Sequence, residues 1–240
     1  MFLCLLVGVP GLVGLAAAAP DDIVLRFEPA GESGAVALGW EALTFKKIER
    51  RTRYAVVADG GGHVLRAESE ASASGLYRSL DLDPRVYRVL TWRWKIDNVL
   101  VKGDAQRKQG DDYPARIYVA FRYDPATATT WERLRYGAIK LLYGRYPPRH
   151  VINYIWDNRL PVGTAIDNAY TDRAKMIVVE SGAALVGRWV AEERDVYADY
   201  KRLFAAEPPA IEGIAVMTDT DDTGERAVAH YGTITLRAAR

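Results

Sequence analysis

Side chains suited to ligand binding are concentrated in one stretch of the chain, residues 90–123. Five of them are the candidate ligand-binding residues: Arg93, Asp111, Asp112, Arg116 and Tyr118. Arginine holds carboxylates through two parallel hydrogen bonds, and tyrosine offers a flat ring with a hydroxyl group. This combination suits an acidic or hydroxyl-rich glycan. The alternative is a solvated outer sheet face whose charges are neutralised by nearby acids, which is the default for antiparallel sheets.

The tandem Asp111-Asp112 lies in a polar loop between two predicted strands. Acidic residues on a loop can ligate calcium or take part in acid–base chemistry. Their position just ahead of Pro114-Ala115-Arg116 also allows one of them to anchor the loop by pairing with Arg116. We therefore expect a structural role for one aspartate and a functional role for the other.

A second acidic group, Asp219-x-Asp221-Asp222-x-Gly224, lies near the C-terminus. Asp219 and Asp221 occupy positions 1 and 3 of an EF-hand-like loop, but position 12 is His230 instead of the bidentate glutamate that such a loop needs. An EF-hand is therefore excluded. Calcium bound by Asp219 and Asp221 at the edge of a sandwich remains one alternative, and an ordinary acidic turn, which turn chemistry favours, is the other. No other cofactor is predicted.

Two amphipathic strands must position the first group of residues. In residues 90–96 and 117–123, apolar residues alternate with polar or basic ones, which is typical of strands that are buried on one face. Trp92 and Trp94 are accordingly expected in the core. If the two strands are neighbours, their polar residues form one basic sheet face; these are Arg93, Lys95, Arg116, Tyr118 and Arg122.

The remaining pattern favours an all-β fold. A hairpin is predicted at residues 54–67, with further strands at 150–156, 174–180, 211–218 and 227–236. Residues 71–80 are small and polar and are expected to lead into a turn at Asp83-Pro84. Helices are expected at about 130–143 and 195–206. Short strands with one or two inserted helices predict a mostly antiparallel, jelly-roll-like β-sandwich in one domain, residues 19–240.

The first 19 residues are uncharged, apolar and end in small side chains, which predicts a signal peptide over residues 1–18. The protein is then exported, to the periplasm or the extracellular space, with no membrane span after cleavage. The single cysteine, Cys4, lies in this segment, so no disulfide is expected in the mature chain. The net charge of +1 argues against nucleic-acid binding. The sequence does not predict an oligomeric state.

Several short motifs together resemble a bacterial family catalogued as domain of unknown function 3047. The motifs are Trp92-Arg93-Trp94, Asp111-Asp112-x-Pro114-Ala115-Arg116, Tyr154-x-Trp156, Trp189 with Glu193-Arg194-Asp195, and Met217-Thr218-Asp219-Thr220-Asp221. The resemblance covers roughly residues 40–237 and implies an exported protein without an assigned activity. The chain also ends like some carbohydrate-binding jelly rolls. It carries Tyr231-Gly232 where such modules often have Asp-Asp, so that likeness transfers no calcium or sugar site.

Three functions follow as alternatives. The first is a non-catalytic binder of a glycan or another cell-envelope component, because of the basic and aromatic face. The second is a carbohydrate-active enzyme, a polysaccharide lyase or glycoside hydrolase, centred on Asp112, Arg116 and Tyr118, with His150 as a further candidate for a lyase. The third is a structural partner of other envelope proteins, which would show a contiguous apolar surface.

Overall fold

The computed structural model describes residues 20–31, 36–126, 128–131, 133, 136 and 146–239. The predicted signal peptide, residues 1–18, lies outside the described residues. The strands are β1 (Ile23–Leu25), β2 (Glu41–Leu43), β3 (Arg53–Asp59), β4 (Gly62–Glu70), β5 (Ala73–Leu82), β6 (Tyr87–Ile96), β7 (Arg116–Phe121), β8 (His150–Asp157), β9 (Ala165–Asn168), β10 (Thr171–Ser181), β11 (Val190–Asp195), β12 (Ile211–Asp219), β13 (Arg226–Tyr231) and β14 (Ile234–Ala238). One α-helix, α1 (Val196–Phe204), and a 3₁₀ turn (Lys108–Gly110) complete the elements assigned in the described part of the chain.

The strands form two seven-stranded sheets. The first sheet has the order β1-β14-β6-β13-β4-β3, with β11 paired to β6, and the second has the order β2-β5-β12-β7-β8-β10-β9. All pairings are antiparallel within the described residues except that of β8 with β10. Apolar side chains of both sheets belong to one buried core. The predicted all-β, jelly-roll-like sandwich is confirmed.

Aromatic rings join the two sheets across this core. Trp92 and Trp94 of β6 are buried, as predicted. The ring of Trp92 lies 5.4 Å from Tyr154, and that of Trp94 lies 5.9 Å from Trp156, both on β8 of the opposite sheet. Such aromatic contacts add stability beyond the area that they bury.

The predicted basic face shared by residues 93 and 116 is wrong, because β6 and β7 belong to different sheets. Residues 97–115 cross from one sheet to the other. Alternation determines which side of each strand faces the core, but not which strand is its neighbour. Arg93 and Arg116 therefore lie on opposite outer faces of the sandwich.

Two strand predictions need correction. Residues 73–82 form β5, a full strand in the second sheet. Their small residues disguise it, and Gly75 is needed there because an added Cβ would lie 2.8 Å from the carbonyl oxygen of Val216 on β12. The predicted strand at 227–236 is two strands, β13 and β14, separated at Gly232, where a Cβ would meet the side chain of Arg93 at 2.5 Å. The hairpin at 54–67 is confirmed as β3 and β4.

The second predicted helix is confirmed as α1. The side chain of Asp195 caps it by accepting a hydrogen bond from the Ala198 amide at 2.8 Å, and Ala205 ends it with a φ of 49°. The predicted helix 130–143 falls largely outside the described residues. Of its described members, Trp131 is 72% exposed, whereas Tyr136 is buried.

Among the described residues, none of the helices has the length and apolar character required to cross a membrane.

Candidate functional site

A row of four side chains crosses the outer face of the second sheet. The strand register places Tyr77 opposite Ala215, Ala215 opposite Tyr118, and Tyr118 opposite Asn153. Tyr77 and Tyr118 are half-buried, while Ala215 and Asn153 are only 3% and 1% exposed. The row therefore places two aromatic residues on either side of a small one, with a buried amide at one end.

Tyr77 lies flat against the sheet at this row. A Cβ added to Gly213 of β12 would stand 2.2 Å from the Tyr77 hydroxyl oxygen, so the missing side chain makes room for the ring. The Tyr77 hydroxyl donates a hydrogen bond to the Glu212 carbonyl at 2.9 Å, which holds the ring in place. The ring position thus depends on a glycine two residues before Ala215.

Arg116 occupies the next position along β7 on the same face and is only 5% exposed. Its guanidinium lies between the rings of Tyr113 and Tyr118, at 5.1 and 5.2 Å from their centroids, and forms an ion pair with Asp219. Burial acts to lower the pKa of Arg116, but Asp219 together with Tyr118, Asp111 and Tyr113 outweighs burial, so the pKa is raised. Arg116 is therefore a buried, permanently charged group.

Three carboxylates meet beside this arginine. One oxygen from each of Asp112, Asp219 and Asp221 lies within 4.8 Å of the others. Burial raises the pKa of Asp219; Arg116 opposes that shift, and Asp112 adds to it. The pKa of Asp221 rises to about 6 because it is partly buried and lies near Asp112. Negative charge is thus concentrated where the loop before β7 meets the turn after β12.

Asp111 has a different role from its neighbour. Its carboxylate accepts hydrogen bonds from the Tyr113 hydroxyl at 2.9 Å and from the Asn168 amide at 2.8 Å. The predicted anchoring of the loop by an Asp111 or Asp112 pair with Arg116 is wrong, since Asp219 is the ion-pair partner of Arg116. Asp111 instead connects the loop to β9.

Six of the seven predicted site residues lie on this side of the second sheet: Asp111, Asp112, Arg116, Tyr118, Asp219 and Asp221. Arg93 does not. It lies on the first sheet, where it pairs with Asp59 at 3.0 Å and stacks on Trp189 at 4.3 Å. Its ligand-binding role stays a prediction, separate from this site.

Sequence reasoning missed Tyr77 and Asn153. Tyr77 belongs to the strand that was not predicted. Asn153 stands at an outward position in the recognised strand 150–156, and a polar residue flanked by Ile152 and Tyr154, both buried, was a usable signal. Its position opposite Tyr118 requires the strand order, which the alternation alone does not provide.

His150 does not join the residues proposed for a lyase. It pairs with Phe121, whereas Arg116 pairs with Ile155 at the other end of the same strands, roughly 17 Å away at 3.4 Å per residue. His150 shares a hydrogen bond of 2.7 Å with the Tyr200 hydroxyl. Burial and the nearby Arg149 lower its pKa to about 4, so it is a neutral, structural side chain near neutral pH.

The motifs in β6, β7, β8 and β12 lie within a stretch that matches a known family. Residues 38–235 match the model of a family described as "Protein of unknown function (DUF3047)". The chain belongs to the DUF3047 family. No curated protein matches it.

This DUF3047 chain is also similar to several solved structures. One is the family 11 carbohydrate-binding module of a cellulosomal cellulase of Clostridium thermocellum, with 12% identity, coverage of 92% of this chain and 97% of that one, and a TM-score of 0.46. The same kind of module in complex with a β-1,3-1,4-mixed-linked tetrasaccharide gives 12% identity, 92% and 98% coverage, and a TM-score of 0.39. The glycoside hydrolase domain of Endo-D from Streptococcus pneumoniae gives 14% identity, 82% and 21% coverage, and a TM-score of 0.34. At sequence identities of 12–14%, these likenesses are likenesses of fold alone.

The DUF3047 chain also has a pair of interacting carboxylates, one on each sheet: Glu180 on β10 of the second sheet and Glu192 on β11 of the first. The Trp94 indole donates a hydrogen bond to Glu192 at 3.3 Å. Burial raises the pKa of Glu192 to about 7, and Glu180 adds to the shift. A carboxyl group whose pKa is higher in the folded than in the unfolded state, where it is about 4.3, binds more protons when folded. Its contribution therefore favours folding at low pH and is lost as the pH rises toward 7.

Replacing Glu192 with glutamine should remove this dependence, because the amide keeps the acceptor for Trp94 but does not ionise. Relative to the parent protein, Glu192→Gln should gain free energy of unfolding between pH 5 and pH 8, as measured by urea denaturation. Glu193→Gln is the control, since Glu193 is exposed and pairs with Arg237 at 2.7 Å. A Glu192→Gln difference that is constant over this pH range would contradict the assignment.

Proposed function

We propose that this DUF3047 protein is a non-catalytic binder of a hydroxyl-rich glycan, and that the ligand lies on the outer face of the second sheet. The observation that carries the proposal is the cross-strand row Tyr77–Ala215–Tyr118–Asn153. Neighbouring strands are about 4.8 Å apart, so the two tyrosines are separated by roughly 10 Å across Ala215. Aromatic residues flanking a small one provide a flat, partly apolar surface with hydroxyl groups at its edge.

Hydrogen-bonding groups beside Tyr118 support a hydroxyl-bearing ligand. The Oδ1 atom of Asn153 and the Nε atom of Arg116 are buried and have no hydrogen-bond partner in the part of the chain that the structure describes. The first is an acceptor and the second a donor. A hydroxyl group both donates and accepts, so it matches this pair, and satisfying buried polar atoms is worth about 1–3 kcal/mol each.

The same geometry favours binding over catalysis. Burial raises the pKa of Tyr118, whereas a lyase base must lose its proton readily. Asp219 is engaged by Arg116 and by the Tyr113 amide at 3.3 Å, so it is a poor candidate for acid–base work.

The compartment is part of the same proposal. The apolar segment at residues 1–18 supports export, to the periplasm or outside the cell. A glycan of the cell envelope or its surroundings is then the class of ligand that the protein meets.

Retention in polyacrylamide gels that contain soluble polysaccharides tests the proposal, with calorimetry on oligosaccharides of the retained polymer. We expect Tyr118→Ala to weaken binding at least about tenfold, or about 1.4 kcal/mol, because it removes half of the aromatic surface. Tyr118→Phe should keep most of the affinity, since the ring remains.

Tyr197→Ala is the matched control, because Tyr197 is a half-buried tyrosine on α1 whose hydroxyl bonds to Glu207 at 2.7 Å. The affinity of the Tyr197→Ala variant for the retained polysaccharide should equal that of the parent protein. The proposal is wrong if no polysaccharide of a broad neutral and acidic panel retains the protein, or if Tyr118→Ala and Tyr197→Ala bind equally well.

A further inference from the structure

We infer that Asp112, Asp219 and Asp221 form a divalent-cation site, and that calcium is its preferred ion. The site joins the loop before β7 to the turn after β12, beside the proposed glycan surface. It is independent of glycan binding, because it rests on other side chains and is tested with the metal alone.

The geometry fits calcium. The three carboxylate oxygens lie within 4.8 Å of one another, so an ion between them lies no more than about 2.8 Å from each, close to the calcium–oxygen distances of about 2.3–2.6 Å. Magnesium requires about 2.0–2.1 Å and a stricter octahedron. Zinc favours histidine and cysteine ligands, which this trio lacks.

Asp112 supplies a second, independent observation. It is 2% exposed, and its Oδ1 atom has no hydrogen-bond partner among the residues that the structure describes. Its other oxygen, Oδ2, accepts a hydrogen bond from the Thr223 amide at 2.6 Å, which fixes the carboxylate in position. A buried carboxylate oxygen without a partner is costly, and a cation coordinated by it removes that cost.

The charged side chains around the trio carry a net negative charge, which favours binding of a divalent cation. Five carboxylates gather here, those of Asp111, Asp112, Asp219, Asp221 and Asp222. Cations near them include Arg116, which pairs with Asp219, and Lys102, whose ammonium donates to the Thr223 carbonyl at 3.1 Å. Negative charge remains in excess, and a bound calcium ion would offset it.

The positions of the two segments that carry the trio indicate what a bound ion would do. Asp112 ends a crossing segment that links the sheets, and Asp221 follows β12 by two residues. Near the trio the two segments are joined by hydrogen bonds, among them the Thr223 amide to Asp112 at 2.6 Å and the Asp219 amide to the Tyr113 carbonyl at 3.3 Å. A shared cation would hold both segments beside the tyrosine row, at the end of β12 where Asp219 lies.

The test is a calcium titration of the full mature chain after dialysis against a chelator, followed by thermal unfolding. At a hundredfold excess over the dissociation constant, calcium should raise the midpoint by about 5–10 °C, and magnesium should raise it less. Terbium should also bind and luminesce when tyrosine is excited, because Tyr113 and Tyr118 lie close to Arg116 beside the trio.

Asp221→Asn should abolish both the calcium shift and the terbium signal while the metal-free protein stays folded, because Asp221 is only half-buried. Asp222→Asn is the control, since Asp222 accepts from the Tyr170 hydroxyl at 2.9 Å and lies outside the trio. The inference fails if millimolar calcium leaves the midpoint unchanged, or if Asp221→Asn responds to calcium as the parent protein does. If the protein failed to bind any glycan but still showed the calcium shift, the proposed function would be wrong and the cation site would stand.

Discussion

Replacing Arg116 with methionine should lower the free energy of unfolding by about 3–5 kcal/mol, measured by urea denaturation in the presence of a chelator. Methionine keeps much of the apolar volume between Tyr113 and Tyr118 but removes the charge. Asp219, which is 2% exposed, would then be a buried carboxylate without its ion-pair partner. Breaking one side of a buried pair is far more costly than removing both sides.

Two further variants identify the cause of this loss. Adding Asp219→Asn to Arg116→Met should restore a large part of the stability, since the unpaired charge disappears. Arg93→Met is the matched control, because Arg93 forms a partly exposed ion pair with Asp59, and surface pairs contribute up to about 1 kcal/mol. Equal losses for Arg93→Met and Arg116→Met would contradict the assignment of Arg116 as a buried structural cation.

Truncating Trp94 to alanine should also lower the free energy of unfolding by about 3–5 kcal/mol. Trp94 is fully buried, and its ring lies 5.9 Å from Trp156 of the opposite sheet. In a double-mutant cycle, Trp94→Ala and Trp156→Ala should be coupled by about 0.5–1.5 kcal/mol. The coupling reports directly on the packing of β6 against β8.

Trp131→Ala serves as the control for this series, because the Trp131 side chain is 72% exposed and its removal should change stability by no more than about 0.5 kcal/mol. Strict additivity of Trp94→Ala and Trp156→Ala would indicate that these strands do not face each other. That result would contradict the placement of β6 and β8 in opposing sheets.

Local alternation was sufficient to predict which side of β6 and β7 faces the core between the sheets. Trp92, Trp94 and Ile117 are apolar residues that alternate with polar ones along their strands, and all three face the core. The partners of these strands could not be predicted in the same way, since pairing depends on contacts between distant parts of the chain. The ion pair of Arg116 with Asp219 spans 103 residues, and no local pattern points to it.

The same holds for the candidate site: the residue types could be predicted from the sequence, but their arrangement could not. Asp111, Asp112, Arg116 and Tyr118 were recognised as residue types with binding chemistry, but their arrangement follows from the sheet order. Tyr77 was missed because β5 begins with small residues that have low strand propensity. Strands distant in sequence stabilise β5 on both sides, because β12 pairs along it from Ile211 to Asp219 and β2 pairs with its other edge.

Amide chemical shifts measured during titration with the retained oligosaccharide locate the ligand surface on the protein. We expect the perturbed amides to lie in β5, β12, β7 and β8, around Tyr77, Ala215, Tyr118 and Asn153. Perturbations centred instead on Arg93 and Trp189, on the outer face of the first sheet, would contradict the proposed surface.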